Sequence, residues 1–149
     1  VSLFAVGHSS TLLLGVFADI HINAFIIDAI IGLSVVYKAL DNLGAFQQWF
    51  GVQPNTKIST FIFGLFHGFG LAAKIIDFEL DTNGLFTNLI AFNIGVEIGQ
   101  LLALSAILIL ISYWRKRSSF LIHAYSANVI LMTLGFMLSG YQLFGYFNS

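Results

Sequence analysis

Long apolar runs separated by short polar breaks dominate the chain. Five runs are each predicted to form an α-helix, and they cover residues 1–18, 22–40, 58–76, 85–114 and 120–147. The breaks contain charged residues, glycine and the single proline, Pro54, which interrupt an apolar helix. About 20 apolar residues are enough to cross a bilayer as a helix. The pattern therefore predicts an all-α fold, a polytopic transmembrane helix bundle with five spans that forms a single domain over residues 1–149.

The longest break contains a shorter pattern of its own. Residues 44–53 hold Phe46, Trp49 and Phe50 among glutamines. A short helix with one apolar and one polar face favours a position flat on the membrane surface. We therefore expect a short amphipathic helix between the second and third spans.

Composition excludes a soluble domain. Hydrophobic residues make up 58% of the chain and charged residues only 9%, whereas a soluble domain has about 25% charged residues. The absence of cysteine excludes disulfides and thiolate metal sites. A formal net charge of −1 gives no basic surface for a nucleic acid. The expected partner is the lipid bilayer. The sequence leaves open whether the chain also forms a homo-oligomer.

Basic residues are distributed unevenly between the breaks. The breaks at residues 41–57 and 115–119 contain or adjoin five of the six basic residues, and only Lys74 lies near the break on the opposite side. Loops rich in lysine and arginine stay on the cytoplasmic side of a membrane. We therefore expect both breaks to be cytoplasmic, with the chain in a bacterial inner membrane.

A few polar and ionisable residues lie deep inside the apolar runs. They are His8 in the first span, His67 in the third, and Asn93, Glu97 and Gln100 in the fourth. At about 1.5 Å per residue, His67 and Glu97 lie roughly 15–18 Å from the start of their helices. Ionisable groups at this depth are costly and commonly functional, and transporters place their ion sites there.

The residue types in this group favour a borderline divalent metal. His8 and His67 offer imidazole nitrogens, while Glu97 and Asn93 offer carboxylate and amide oxygens. Such a set suits Ni, Co or Zn, so we predict these four residues as the metal ligands. The metal would be a transported ion, and no resident cofactor is expected. Supporting hydrogen bonds are predicted from three neighbours: Ser9, Thr11 and Gln100.

Two other functions stay open from the residues alone. The same polar groups could be interhelical hydrogen-bonding groups in a membrane scaffold that transports nothing. Ser9 or Ser10 could also act with His67 in an intramembrane hydrolase, although no third catalytic group or oxyanion hole can be recognised. A wet cavity at His8, His67 and Glu97 would favour a permease, and a dry, fully paired core would favour a scaffold.

Small residues spaced four apart predict close helix contacts. Gly64 and Gly68 form such a pair in the third span, and Gly95 and Gly99 form another in the fourth. Without side chains at these positions, the backbone of a neighbouring helix can approach closely. We therefore expect both pairs to be packing surfaces.

Four segments resemble motifs of a known family. Residues 7–12 read Gly-His-Ser-Ser-Thr-Leu, residues 63–70 read Phe-Gly-Leu-Phe-His-Gly-Phe-Gly, and residues 92–100 read Phe-Asn-Ile-Gly-Val-Glu-Ile-Gly-Gln. Residues 36–43 resemble the end of the family's second helix, although Asp41 stands where the family often has glutamate. With three specific motifs in the right order, the chain is similar to the HupE/UreJ family over residues 4–102.

The resemblance implies a function. It implies nickel permeation that supplies metalloenzyme assembly of the hydrogenase or urease type, and it implies no catalytic activity. The family has an earlier helix with a Gly-x-Asp-His motif, whereas this chain starts at Val1, already inside an apolar run. We therefore expect a sixth, N-terminal span upstream of Val1.

Overall fold

Helices dominate the computed structural model, which describes residues 2–77 and 84–148. Of these residues 86% are helical and none is in a strand, so the prediction of an all-α fold is confirmed. The five predicted runs correspond to the five longer helices, and Val1 lies outside the described residues. In chain order the helices are α1 Ser2–Phe17, α2 Ala24–Asn42, α3 Ala45–Phe50, α4 Thr56–Asp77, α5 Leu85–Trp114 and α6 Phe120–Asn148.

Asparagine side chains set the start of two helices. The Asn23 side-chain oxygen accepts hydrogen bonds from the backbone N–H groups of Phe25 at 3.0 Å and Ile26 at 3.4 Å. This cap satisfies helix N–H groups that lack an intrahelical partner, so α2 begins two residues later than predicted. Asn55 caps α4 in the same way by accepting from the Lys57 N–H at 3.0 Å.

The predicted short aromatic helix is present as α3. It lies between Gly44 and Gly51, whose φ angles of 73° and 69° belong to the left-handed region. Glycine adopts this conformation without steric cost, which allows the chain to turn sharply on both sides of the helix. The ring of Phe46 packs on Tyr37 of α2 at a centroid distance of 4.9 Å. The position of α3 on the membrane surface stays a prediction.

Several helices are suited to lipid rather than water. Among the described residues, three helices are long and apolar enough to cross a membrane: Thr56–Ile76, Phe86–Trp114 and Phe120–Asn148. The helix Leu3–Phe17 is apolar but shorter. Most of the α5 and α6 side chains are exposed, and apolar surfaces of that size are stable only against lipid or another protein. The chain is therefore an integral membrane protein.

Contacts connect the helices in the order α5, α1, α4, α2, α6. The α1–α4 and α2–α6 pairs pack most closely, and α2 also contacts α4. Where α2 meets α6, the Ser139 hydroxyl donates a 3.0 Å hydrogen bond to the Ala29 carbonyl. Helix α5 contacts the described bundle mainly through α1. The core therefore lies between α1, α4, α2 and α6, and α5 lies at its edge.

Candidate metal site

Glycines bring α1 and α4 into close contact. A Cβ atom added to Gly64 would overlap the Phe4 carbonyl oxygen, and one added to Gly68 would overlap the Thr11 hydroxyl. Across this contact the Thr11 hydroxyl donates a 2.7 Å hydrogen bond to the Leu65 carbonyl. The predicted packing role of Gly64 and Gly68 is thus confirmed. Because the backbones approach so closely, the histidines of the two helices lie near each other.

One ring nitrogen of His67 is bonded to the backbone. Its Nδ1 atom lies 2.7 Å from the Phe63 carbonyl oxygen. A carbonyl only accepts hydrogen bonds, so Nδ1 carries the hydrogen and the neutral ring has its lone pair on Nε2. A histidine whose other nitrogen donates to a carbonyl has the tautomer and the fixed orientation that metal binding requires.

His8 is almost fully buried, with 5% of its surface exposed. Its ring stacks on Phe4 at a centroid distance of 6.0 Å, and the same Phe4 ring makes an edge contact with His67 at 5.2 Å. His8 also lies within range of electrostatic interaction with His67 and Glu97. Phe4, which the sequence analysis did not single out, therefore touches both imidazoles.

Glu97 faces α1 from the middle of α5. The Ser9 hydroxyl donates a 2.6 Å hydrogen bond to Glu97 Oε1, which stabilises a carboxyl group on an otherwise uncharged helix. Both side chains line a cavity of about 550 Å³ between α1 and α5, together with Ser10 and Gln100. We call this space the Glu97 cavity. Its polar groups are two hydroxyls, one amide and one carboxyl group.

Asn93 lies one helical turn before Glu97 on the same face of α5. Its side-chain oxygen is buried and accepts a hydrogen bond from none of the described residues. A buried oxygen without a donor costs roughly 1–3 kcal/mol, so a native structure normally provides it with a partner such as a water or an ion. This oxygen is a position at which a cation would find a ligand.

The predicted ligands form two groups on different faces of α1. At about 100° per residue, Phe4 and His8 share one face of α1, and Ser9 lies on another. His8 and His67 meet at Phe4, whereas Glu97 meets Ser9. Among the described residues, no three His, Asp or Glu side chains lie close enough together to hold one metal ion. Convergence of all four ligands on a single ion stays a prediction.

The hydroxyl groups of α1 have partners other than histidine. Ser9 donates to Glu97, and the Ser10 hydroxyl donates to the Val6 carbonyl at 2.6 Å. Thr11, predicted as a supporting residue, donates to backbone carbonyls of α1 and α4. Within the part of the chain that the structure describes, no serine is bonded to a histidine, the contact that a serine hydrolase requires.

Two ion pairs that were not predicted lie toward opposite ends of α2. Near its start, Asp28 Oδ2 lies 3.0 Å from Lys74 Nζ and 3.4 Å from Gln142 Nε2. Near its end, the buried Asp41 carboxylate lies 2.6 Å from Lys38 Nζ. The sequence does contain a sign of the Asp28–Lys74 pair, because the two residues carry opposite charges and lie at similar depth in neighbouring helices. Each ion pair lowers the cost of placing charged residues on helices inside the bundle.

Comparison with known proteins gives one match. The family model described as HupE / UreJ protein matches residues 1–149, which is the whole chain. No curated protein and no solved structure matches. The matched region includes the three motif segments that contain His8, His67 and Glu97, and it extends over α6, which the resemblance in the sequence did not cover.

Proposed function

The chain belongs to the HupE/UreJ family, and from this membership we propose that it is a membrane permease for a divalent transition metal, most simply nickel. The family is one of membrane accessory and transport proteins associated with nickel and cobalt. The observation that carries the proposal is the buried oxygen of Asn93, which has no donor among the described residues and lies one turn from Glu97. The Glu97 side chain lines the cavity between α1 and α5. The transported ion would supply metalloenzyme assembly of the hydrogenase or urease type.

Each predicted ligand contributes a different property. Glu97 supplies a negative charge, which offsets the cost of placing a divalent ion in a low-dielectric environment. Asn93 supplies a neutral oxygen with no donor among the described residues. The Nε2 atom of His67 and the ring of His8 supply nitrogen ligands, which favour Ni, Co or Zn over Mg or Ca. The ion is cargo, so no resident cofactor enters the proposal.

The separation of the ligands into two groups suits transport better than storage. A permeating ion has to leave each site, so binding has to be weak and divided over several steps. The Ser9 hydroxyl stabilises Glu97 when no ion is present. Because an arriving ion competes with this hydrogen bond, Ser9 limits how tightly the ion is held. Gln100 would assist as a further polar group in the Glu97 cavity.

We further propose that five helices, α1, α2, α4, α5 and α6, span the membrane as one domain over residues 1–149. Helix α2 packs between the long apolar helices α4 and α6, and α1 packs against α4. The Asp28–Lys74 and Lys38–Asp41 pairs reduce the cost of the charges on α2. The excess of basic residues makes loops 41–57 and 115–119 cytoplasmic, in a bacterial inner membrane.

A membrane scaffold is the second candidate, and one observation favours it. The described residues contain no cluster of three His, Asp or Glu side chains. Polar side chains do connect helices, as Thr11 does with Leu65 and Ser139 does with Ala29. In a scaffold, the intramembrane polar residues would be needed for assembly and not for ion movement.

Nickel uptake by proteoliposomes containing the purified protein distinguishes the two candidates. Glu97→Gln keeps the shape of the side chain and an acceptor for Ser9 but removes the charge. His67→Ala removes the Nε2 ligand. If the protein is a permease, nickel uptake by each variant should fall about tenfold or more. Replacing residues around a metal site lowers metal affinity or activity by a similar factor in other proteins. Helix content and stability in detergent should stay near those of the unmodified protein.

Ser10→Ala is the matched control for this experiment. Ser10 lines the same cavity, but its hydroxyl donates to the Val6 carbonyl of its own helix, so this variant should retain near-normal uptake. Normal uptake by both Glu97→Gln and His67→Ala would refute the proposed site. Variants that fail to assemble in the membrane, without a specific loss of uptake, would support the scaffold.

A further inference from the structure

A second cavity lies on the other side of α1. It has a volume of about 390 Å³ and lies between α1, α2, α4 and α6. Phe4 is the α1 residue that lines it. Its polar lining residues are Ser34, Lys38, Asn42, Thr60, His67 and Asn128. We call this space the His67 cavity. It shares none of its lining residues with the Glu97 cavity.

The His67 cavity extends from the membrane interior to one end of the bundle. Ser34 lies eight residues before the end of α2 at Asn42, which is about 12 Å along the helix. At the mouth of the cavity, the exposed Asn42 amide donates a 3.0 Å hydrogen bond to the half-buried Asn128 side chain. Polar side chains from Ser34 to Asn42 lie among the apolar ones that line the cavity, and such groups provide hydrogen-bond partners for water.

The charges in this cavity are balanced. Lys38 contributes to the lining, but its Nζ atom lies 2.6 Å from the Asp41 carboxylate. This ion pair adds no net charge that would exclude a cation. His67 presents its Nε2 lone pair, because its Nδ1 donates to the Phe63 carbonyl. The lining therefore suits a hydrated divalent cation, with His67 as the ligand at its inner end.

We propose that the His67 cavity is a hydrated vestibule for the divalent cation and that Phe4 separates it from the Glu97 cavity. The inference rests on the proposed permease function. The Phe4 ring contacts both His8 and His67, while Ser9 and Ser10 on another face of α1 line the Glu97 cavity. Phe4 lines the His67 cavity and its chain neighbours Ala5 and Val6 line the Glu97 cavity, so we place Phe4 on the route between the two. This side chain is a gating residue and not a ligand.

Cysteine labelling in membrane vesicles tests the vestibule, because the chain has no native cysteine. Ser34→Cys places a thiol in the cavity lining, and Leu33→Cys places one at the same depth on the outer surface, where Leu33 is 47% exposed. A charged, membrane-impermeant methanethiosulfonate reacts with a thiolate in water. The thiol of Ser34→Cys should therefore react about tenfold faster, or more, than the thiol of Leu33→Cys. Nickel ions should slow this reaction. Equal rates for the two variants would overturn the vestibule.

A second labelling experiment tests the gate. Ser10→Cys places a thiol in the Glu97 cavity, and the reagent is added to the membrane face that carries Lys57, where the His67 cavity opens. The thiol should react slowly while Phe4 is present, and Phe4→Ala should raise the rate at least severalfold. Phe4→Leu keeps a bulky apolar side chain and should retain the slow rate. An unchanged rate in Phe4→Ala would overturn the gating role.

Nickel uptake by the unmodified protein in the same vesicles separates failure of the vestibule from failure of the permease. If nickel enters while Ser34→Cys resists labelling, the vestibule is refuted and the permease stands. If nickel does not enter while Ser34→Cys is labelled and nickel protects it, the permease is refuted. The His67 cavity would then stand as a cation-binding cavity without transport.

Discussion

Asp28 and Lys74 form an ion pair that links α2 to α4, and the two side chains differ in burial. The Asp28 side chain is 17% exposed and the Lys74 side chain 52%. Removing one partner of an ion pair is most costly when the remaining charge cannot reach water. Lys74 has a long, flexible side chain that reaches water, whereas Asp28 does not. The two residues therefore contribute unequally to stability.

We expect Lys74→Met to destabilise the protein more than Asp28→Asn. Without Lys74, the mostly buried Asp28 carboxylate stays unpaired or takes up a proton, at a cost of about 2–3 kcal/mol. Asp28→Asn keeps an acceptor for Gln142 and leaves Lys74 partly solvated, at a cost of about 1 kcal/mol or less. The measurement is the free energy of unfolding in detergent. An equal or larger loss in Asp28→Asn would contradict this account.

His8, His67 and Glu97 can be found from the sequence, because an ionisable residue inside an apolar run is rare and costly. Their surroundings cannot be found in the same way. Phe4 is one of sixteen phenylalanines, and its spacing of four from His8 is the only sign that the two rings share a helix face. That Asn93 has no donor among the described residues depends on how α5 packs, which the sequence pattern does not contain.

At the level of helices, α4 and α5 carry the same glycine spacing but pack differently. Gly64 and Gly68 of α4 face the α1 backbone at a distance that leaves no room for a side chain. A Cβ atom added to Gly95 or Gly99 of α5 would meet none of the described atoms within 4 Å. The prediction of a packing surface is therefore met for α4 and is not met by the described residues for α5.

Alanine substitutions should separate these two glycine pairs. The added methyl group in Gly68→Ala would overlap the Thr11 hydroxyl and the backbone of α1, so α4 and α1 would have to move apart. Such overpacking costs about 1–3 kcal/mol. Gly95→Ala has space for the methyl group and gains about 0.5–1 kcal/mol from higher helix propensity. Thermal unfolding of both variants in the same detergent measures the difference. Destabilisation by Gly95→Ala would show instead that another chain or helix packs against this surface.

Helix positions could be predicted more completely than helix neighbours. The predicted and observed bounds differ by two residues or fewer at both ends of each of the five longer helices. Polar breaks and asparagine caps account for this agreement. The lateral order α5, α1, α4, α2, α6 could not be predicted, because a helix that is apolar all round has no single face that points to the core.

For the whole molecule, this lateral order gives α1 a central role. Its contact with α4 is close and holds Phe4, His8 and His67 together. Its contact with α5 is slight, and the hydrogen bond between Ser9 and Glu97 is a polar link across it. Regions with few packed contacts open at low free energy. The Glu97 cavity should therefore change its shape more readily than the His67 cavity.

The same arrangement brings the basic loops to one end of the molecule. Near this end, the Tyr37 hydroxyl lies 2.9 Å from the Ser59 hydroxyl, which joins the end of α2 to the start of α4. Asn42 and Asn128 join the end of α2 to the first turns of α6. Residues 41–57 and 115–119 therefore lie at one end of the bundle, together with five of the six basic residues.

We expect this basic end to be cytoplasmic, because a positively charged loop is retained on that side during insertion. Ser118→Cys, in the loop between α5 and α6, should react with an impermeant thiol reagent in inside-out vesicles and resist it in intact cells. His21→Cys, in the loop between α1 and α2 at the opposite end, should show the reverse. Labelling of Ser118→Cys in intact cells would place the basic end outside. The mouth of the His67 cavity lies at this same end, so labelling from the cytoplasm would also place that mouth on the cytoplasmic side.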